Sequence, residues 1–227
     1  MLNLIAASAY FLLIHFVVSG TRLRDTLVAR LGERPYRGMF SLASILGLVW
    51  MAYAYRHAPT VPTWGLVLGF RPAAYLLVLI AFISVVLGLA TPSPTQVGKE
   101  SQLTRGPDIA RGVVRITRHP FLWGVALWAL VHLIVNGDLA SLVLFGSLLM
   151  LALAGTAVID AKRQRGFGER WTQFAAVTSN VPFAAIAAGR NQLAPAVAEI
   201  GIWRPVVAIV VYALAFYLHG RAGLPLT

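Results

Sequence analysis

The chain has 227 residues, of which 58% are hydrophobic and 12% charged, where a water-soluble domain carries roughly 25% charge. Its mean hydropathy of +0.74 marks an integral membrane protein, and the formal charge of +11 lies at the ends of apolar runs, which excludes nucleic acid as the partner it would suggest in a soluble chain. The absence of cysteine excludes a disulfide scaffold, a thiolate nucleophile, a thiolate metal ligand and an iron–sulfur cluster.

A spanning helix needs about 20 apolar residues, and six runs approach that size. The first covers residues 3–18 and has no basic stretch before it, so it reads as a retained span rather than a signal peptide. Residues 21–31 place Leu23, Leu27 and Leu31 four apart with arginines between them, the pattern of an amphipathic helix lying in the interface. The run Gly32-Glu33-Arg34-Pro35-Tyr36-Arg37-Gly38 reads as a loop with Tyr36 as an interfacial anchor. No strand precedes its glycines, so it is no phosphate-binding loop. The second span is residues 39–55, and the third, 72–90, stops at Thr91-Pro92-Ser93-Pro94. Residues 91–108 read as a flexible loop.

The fourth span, 120–135, opens on a proline at the first helical position, and the fifth is 139–159. Only Asn136-Gly137-Asp138 separates them, which predicts an antiparallel hairpin. Residues 166–189, with Trp171, Phe174 and Phe183, read as a second interfacial or re-entrant helix, and the sixth span is 205–218, extendable back toward Pro195. The expected fold is therefore all-α: a polytopic transmembrane helical bundle of about six spanning helices with interfacial amphipathic helices, forming one transmembrane domain over residues 1–227.

Lys and Arg accumulate in short cytoplasmic loops. Loop one holds Arg22, Arg24, Arg30, Arg34 and Arg37, and loop three holds Lys99, Arg105, Arg111, Arg115 and Arg118. Loop five holds Lys162, Arg163, Arg165, Arg170, Arg190 and Arg204, while the other side holds only Arg56, Arg71 and Arg221. Both termini are expected outside the cytoplasm, and anionic membrane lipid is the expected surface partner.

An ionisable side chain inside a bilayer is costly enough to be a functional candidate. His15 lies in the first span, His57 at the outer end of the second, His119 at the inner mouth of the fourth, His132 within the fourth and His219 at the outer end of the sixth. Neutral imidazole is a common metal ligand and a proton shuttle. A histidine in a span also serves as a hydrogen-bonding link between helices, and that alternative stands beside each position. Arg118-His119-Pro120, where polar residues meet a helix N-terminus, suits an anionic headgroup or cofactor group. The eight carboxylates all fall outside the spans or at their ends, which disfavours a carboxylate-rich metal centre.

Residues 8–175 resemble the NnrU family, bacterial membrane proteins associated with nitrite and nitric oxide reduction and related to the plant 15-cis-zeta-carotene isomerases. The resemblance rests on His15 followed by Ser19-Gly20, on Gly32-Glu33-Arg34-Pro35-Tyr36-Arg37-Gly38-Met39-Phe40-Ser41-Leu42, on Arg118-His119-Pro120, and on Leu127-Trp128-Ala129-Leu130-Val131-His132-Leu133 with Asn136-Gly137-Asp138. Residues 176–227 add an interfacial segment and the last span. The resemblance implies an inner-membrane protein holding b-type haem, with His15, His57, His119 and His132 on family histidine positions, and with His15 and His132 as the first candidate iron ligands. The isomerases carry cysteine where this chain has Ala129, which argues against carotene isomerisation here. At about 1.5 Å per residue, His15 and His132 differ in depth by roughly 12 Å in an untilted bundle, so His15 with His119 and His132 with His57 are alternative pairs.

Arg118-His119-Pro120 with Gly124, and later Phe167-Gly168-Glu169-Arg170-Trp171, also resembles the isoprenylcysteine and phospholipid methyltransferases, in which Arg and His hold S-adenosylmethionine. The acidic pair of that pattern is missing; Asp160 alone precedes the Phe-Gly. The functional expectation is a haem-binding protein that supports nitrogen-oxide metabolism. The alternatives are a methyltransferase or isomerase acting on a lipid-like, hydrophobic small molecule, and a cofactor-free assembly factor.

Overall fold

The computed structural model describes the backbone of residues 1–221 and the side chains of these residues other than 68 and 105–108. Helix α1, Leu2–Leu13, continues into a π-helical turn, Ile14–Ser19. Then come α2, Leu23–Leu31; α3, Glu33–Arg56; α4, Arg71–Ala90; and a 3-10 stretch, Glu100–Ile109. The short α5, Val113–Ile116, precedes α6, Pro120–Asn136, and α7, Leu139–Phe167. The chain closes with α8, Glu169–Val177; α9, Ala184–Ala187; α10, Leu193–Ile200; and α11, Trp203–Arg221. Among the described residues, five helices are long and apolar enough to cross a membrane: α1 with its π-helical turn, α3, α4, α7 and α11. The apolar α6 is shorter, at 17 residues. An all-α membrane bundle with six principal apolar helices is what the sequence pattern predicts.

Leu42, Leu46 and Val49 on α3 are all largely exposed. An apolar outer surface of this kind is stable facing lipid, where helices associate through close packing rather than through the hydrophobic effect. The α4–α6 contact shows that packing. A side chain on Gly124 would meet the Ala81 carbonyl oxygen at 2.8 Å, and one on Gly88 would meet the Phe121 amide nitrogen at 2.5 Å. The two backbones touch because neither glycine has a Cβ.

The α6–α7 hairpin forms at Asn136-Gly137-Asp138. Gly137 takes φ +57°, and a Cβ there would run into the Gly65 backbone. Its carbonyl accepts from the Thr63 and Gly65 amides at 2.8 and 3.1 Å, tying the loop after α3 to the turn. Asp138 caps α7 by accepting from the Ser141 amide at 2.9 Å. Gly137→Ala is expected to cost about 1–2 kcal/mol for the left-handed backbone alone, and the blocked approach of Gly65 adds to this. A fall of several degrees in the melting temperature in detergent tests it; an unchanged melt refutes the role assigned to this turn.

Five local expectations need correction. Helix α7 does not end at residue 159 but runs to Phe167, carrying Asp160, Lys162 and Arg163 as further helical turns. Residues 91–108 are not a free loop, since Ser93, Pro94 and Thr95 are buried and the buried Arg163 donates to the Pro94 and Gln96 carbonyls at 2.9 and 3.3 Å. Trp171 and Phe174 on α8 face protein rather than membrane, packing with Leu103, Val113 and Val114 in a core beneath α4. Tyr36 is buried within α3, with the Arg24 guanidinium 5.5 Å from its ring centre, so it is no interfacial anchor. The last apolar run is also divided, because Gly201 (φ +69°) ends α10 before α11 begins.

Candidate functional site

His132 lies on the interior face of α6 and is largely buried, between Trp128 one turn earlier and Phe145 of α7. Its Nδ1 bonds to the Trp128 carbonyl at 2.8 Å. With Nδ1–H committed to a carbonyl, the tautomer is fixed and Nε2 keeps its lone pair, as in a histidine prepared for a metal. The sequence pattern did not anticipate its neighbour: His219, near the end of α11, places its ring centre 6.5 Å from that of His132 at an interplanar angle of 67°.

Two clefts meet at this pair and share Trp128, His132 and His219. The smaller, about 90 Å³, runs between α4 and α11 past Tyr75, Phe82 and Tyr212. The larger, about 1020 Å³, opens between α3, α6 and α7 beside Tyr55, Leu144 and Phe145. Its floor carries a polar knot in which Tyr55 Oη and Ser141 Oγ are 2.8 Å apart and Asn136 Nδ2 donates to Ser141 Oγ at 3.1 Å. The lining is mostly apolar and aromatic, with a few fixed polar groups, the usual constitution of a small-molecule site.

Arg118 and His119 converge elsewhere, on Asp160. The Arg118 guanidinium forks onto the carboxylate, with Nε 3.0 Å from each oxygen, and His119 Nε2 lies 2.7 Å from Asp160 Oδ1. The bidentate geometry and burial make this a strong charge-assisted contact. Asn180 closes the cluster, its carbonyl accepting from Thr117 Oγ1 at 2.6 Å and Trp123 Nε1 at 2.8 Å. Burial holds the His119 imidazole below its ordinary value, while Asp160 pulls the other way. The anion that this helix N-terminus attracts is therefore the protein's own Asp160. Neither Arg118 nor His119 lines the two clefts described above.

The remaining histidines stand apart. His15 Nδ1 bonds to the Phe11 carbonyl at 2.8 Å, and its ring packs between Phe11 and Phe40, with ring centres 4.4 and 5.2 Å away. His57 is exposed and bonds to the Tyr53 carbonyl at 2.8 Å, its ring lying against the Tyr53 ring. Among the described residues no ring contact joins His15 to His132 or to His119, or His57 to His132, and none contains a group of three or more His, Cys, Asp or Glu placed to hold a metal ion.

Comparison with known proteins gives a match to the family model described as NnrU protein over residues 3–225. The chain belongs to the NnrU family. Among curated relatives, the chloroplastic 15-cis-zeta-carotene isomerase of Zea mays is 28% identical over 202 residues, covering 87% of this chain and 54% of that protein. The Arabidopsis thaliana protein of the same name is 30% identical over 109 residues, covering 48% of this chain and 30% of that protein. The chain thus spans about half the length of the maize relative. No solved structure matches. Together with the apolar helices, the match makes this an NnrU-family membrane protein.

Within that family frame, reasoning from the sequence placed His132 among the candidates but treated His219 as a terminal interface residue. It also dismissed Asp160 as a carboxylate beyond the span. The one available signal for Asp160 was helical spacing, because Ile159-Asp160-Ala161 continues the fifth run without a breaker. Nothing local announced His219, whose pairing depends on where α11 crosses α4 and α6.

Proposed function

We propose that this NnrU-family protein holds a b-type haem at the cleft where His132 and His219 meet, and that it supports nitrite and nitric oxide metabolism in a bacterial cytoplasmic membrane. The observation that carries the reading is the pair itself. Two imidazoles on one iron, each with a metal–nitrogen bond of about 2 Å, have ring centres roughly 6 Å apart, and this pair stands at 6.5 Å. His132 adds a tautomer fixed by Trp128, and aromatic side chains line both clefts. The donor set, two imidazole nitrogens without thiolate or carboxylate, suits haem iron. His15 is the second ligand that the family resemblance implies; the geometry favours His219.

A bound b-type haem supplies a redox-active iron whose potential is set by its axial ligands and surroundings. The chain's own part is to orient and to shield. The Trp128 carbonyl keeps the His132 ring aligned, and Trp128 and Phe145 lie against it. The nitrogen-oxide role is drawn from the family's association. The loops that carry most of the Lys and Arg lie on one side, which supports termini on the periplasmic face.

A second reading, isomerisation of an extended apolar substrate, is favoured by the large apolar cleft beside His132 and by what the plant relatives are named for. The buried Ala129, standing where those proteins carry cysteine, weighs against it. Absorption spectroscopy of the detergent-purified protein from haem-replete cells tests the first reading. A Soret band that shifts on reduction supports it, and a colourless protein that takes up no added haemin refutes it.

A further inference from the structure

A separate concavity shares no lining residue with the histidine clefts and gathers the cation-rich loops. The end of α1, the α2–α3 corner, the 98–101 segment and the last turns of α7 surround a space of about 650 Å³. Six cations line it: Arg22, Arg24, Arg37, Lys162, Arg163 and Arg165. Three carboxylates line it too, and all are engaged. Glu33 takes two bonds from Arg24, at 2.8 and 3.1 Å, and lies 3.7 Å from Arg37. Asp25 is 3.5 Å from Arg24, and Glu100 accepts from the buried Arg163 at 2.8 Å. That leaves Arg22, Lys162 and Arg165 around the same cavity with no carboxylate within ion-pairing distance among the described residues. Lys162 is half-buried, and its hydrogen bond is to the Ser19 carbonyl at 3.4 Å.

Topology alone accounts for cations on this side of a membrane protein, but not for their arrangement. A merely solvated basic face spreads its charges outward. Here one set of cations is neutralised internally, which fixes the walls, and the half-buried Lys162 with the exposed Arg22 and Arg165 lies around one hollow. Phosphate is the matching chemistry, because an ammonium and two guanidinium groups around a concave site suit a compact anion carrying two or more charges. The helices that form the walls also carry the exposed apolar residues Leu13, Met39 and Leu42, along which acyl chains can lie while the headgroup enters the hollow.

We propose that this cleft is a binding site for a phosphate-bearing headgroup of high negative charge, a phosphomonoester or diphosphate, presented by a membrane amphiphile. It is independent of the histidine cleft and of any cofactor there.

The test uses the full chain in neutral detergent, with binding read by native mass spectrometry and by the shift in melting temperature. Phosphatidic acid, phosphatidylcholine and inorganic pyrophosphate are the probes. Phosphatidic acid is expected to bind at one equivalent and at least tenfold more tightly than phosphatidylcholine. The variant carrying Arg22→Gln, Lys162→Gln and Arg165→Gln is expected to lose at least tenfold in affinity for phosphatidic acid. A control carrying Arg30→Gln, Arg34→Gln and Lys99→Gln removes equal charge from the same side outside the cleft and is expected to bind as the parent does. Lys162→Arg is expected to retain binding. Pyrophosphate bound at least tenfold more weakly than phosphatidic acid assigns the site to lipid, and pyrophosphate bound as tightly supports the phosphate site with a soluble ligand. Equal losses in the two triple variants, or equal affinity of the wild-type protein for phosphatidic acid and phosphatidylcholine, overturns the proposal.

Discussion

Asp160→Ala is expected to be the most damaging single substitution in the chain, lowering stability by about 3–5 kcal/mol. The side chain is the shared acceptor for Arg118 Nε and Nη2 and for His119 Nε2, and it also receives Asn180 Nδ2 at 3.4 Å. Removing it leaves a partly buried guanidinium against Trp171 without its counter-ion, and that uncompensated charge, more than the lost hydrogen bonds, sets the cost. Asp160→Asn keeps an acceptor for one donor but not the charge, so it is expected to fall between. Thermal unfolding in detergent and the yield of monodisperse protein provide the measurement. A melt within about 1 kcal/mol of the parent, the level of an exposed pair, contradicts a buried, closed Arg118–His119–Asp160 cluster.

His132→Ala is expected to have the largest effect on function while leaving the fold intact. The ring packs against Trp128 and Phe145 but also lines two clefts, so its loss enlarges existing space and leaves no buried charge unpaired. If His132 is an axial ligand, the purified variant carries at least tenfold less haem per chain, a direct ligand mattering no less than an outer-shell partner. The second ligand is identified by comparing His219→Ala with His15→Ala. Conversion from a low-spin to a high-spin spectrum in His219→Ala alone supports the observed ring pair. The same conversion in His15→Ala alone supports the pair implied by family resemblance. Unchanged haem content in His132→Ala refutes a role for the cleft in haem binding and returns this histidine to bundle packing.

Much of the architecture was legible because its causes are local. Membrane spans declare themselves through long apolar runs, and the breakers between them are Pro, Gly and Asn-Gly-Asp. The hairpin at Gly137 was readable for the same reason: a turn of three residues permits only an antiparallel return. The loop after residue 90 was misread because polarity and proline suggest freedom, whereas its order comes from Arg163, which lies on a helix much later in sequence. Trp171 and Phe174 were misread similarly. An aromatic pair on a short amphipathic helix suits either a lipid interface or a protein core, and only the position of α5 and the 3-10 stretch decides between them.

By itself the sequence determined the all-α class, the apolar runs, the one-sided cations and the presence of imidazoles inside the bundle, since hydropathy and charge act residue by residue. Tertiary structure alone decided which of those groups meet. It joined His132 to His219, closed Asp160 onto Arg118 and His119, and left Arg22, Lys162 and Arg165 around one hollow. The physical reason is that such pairings depend on helix crossings and on close approaches such as that of Gly88 and Gly124. Those are set by packing summed over whole helices, which no local pattern records.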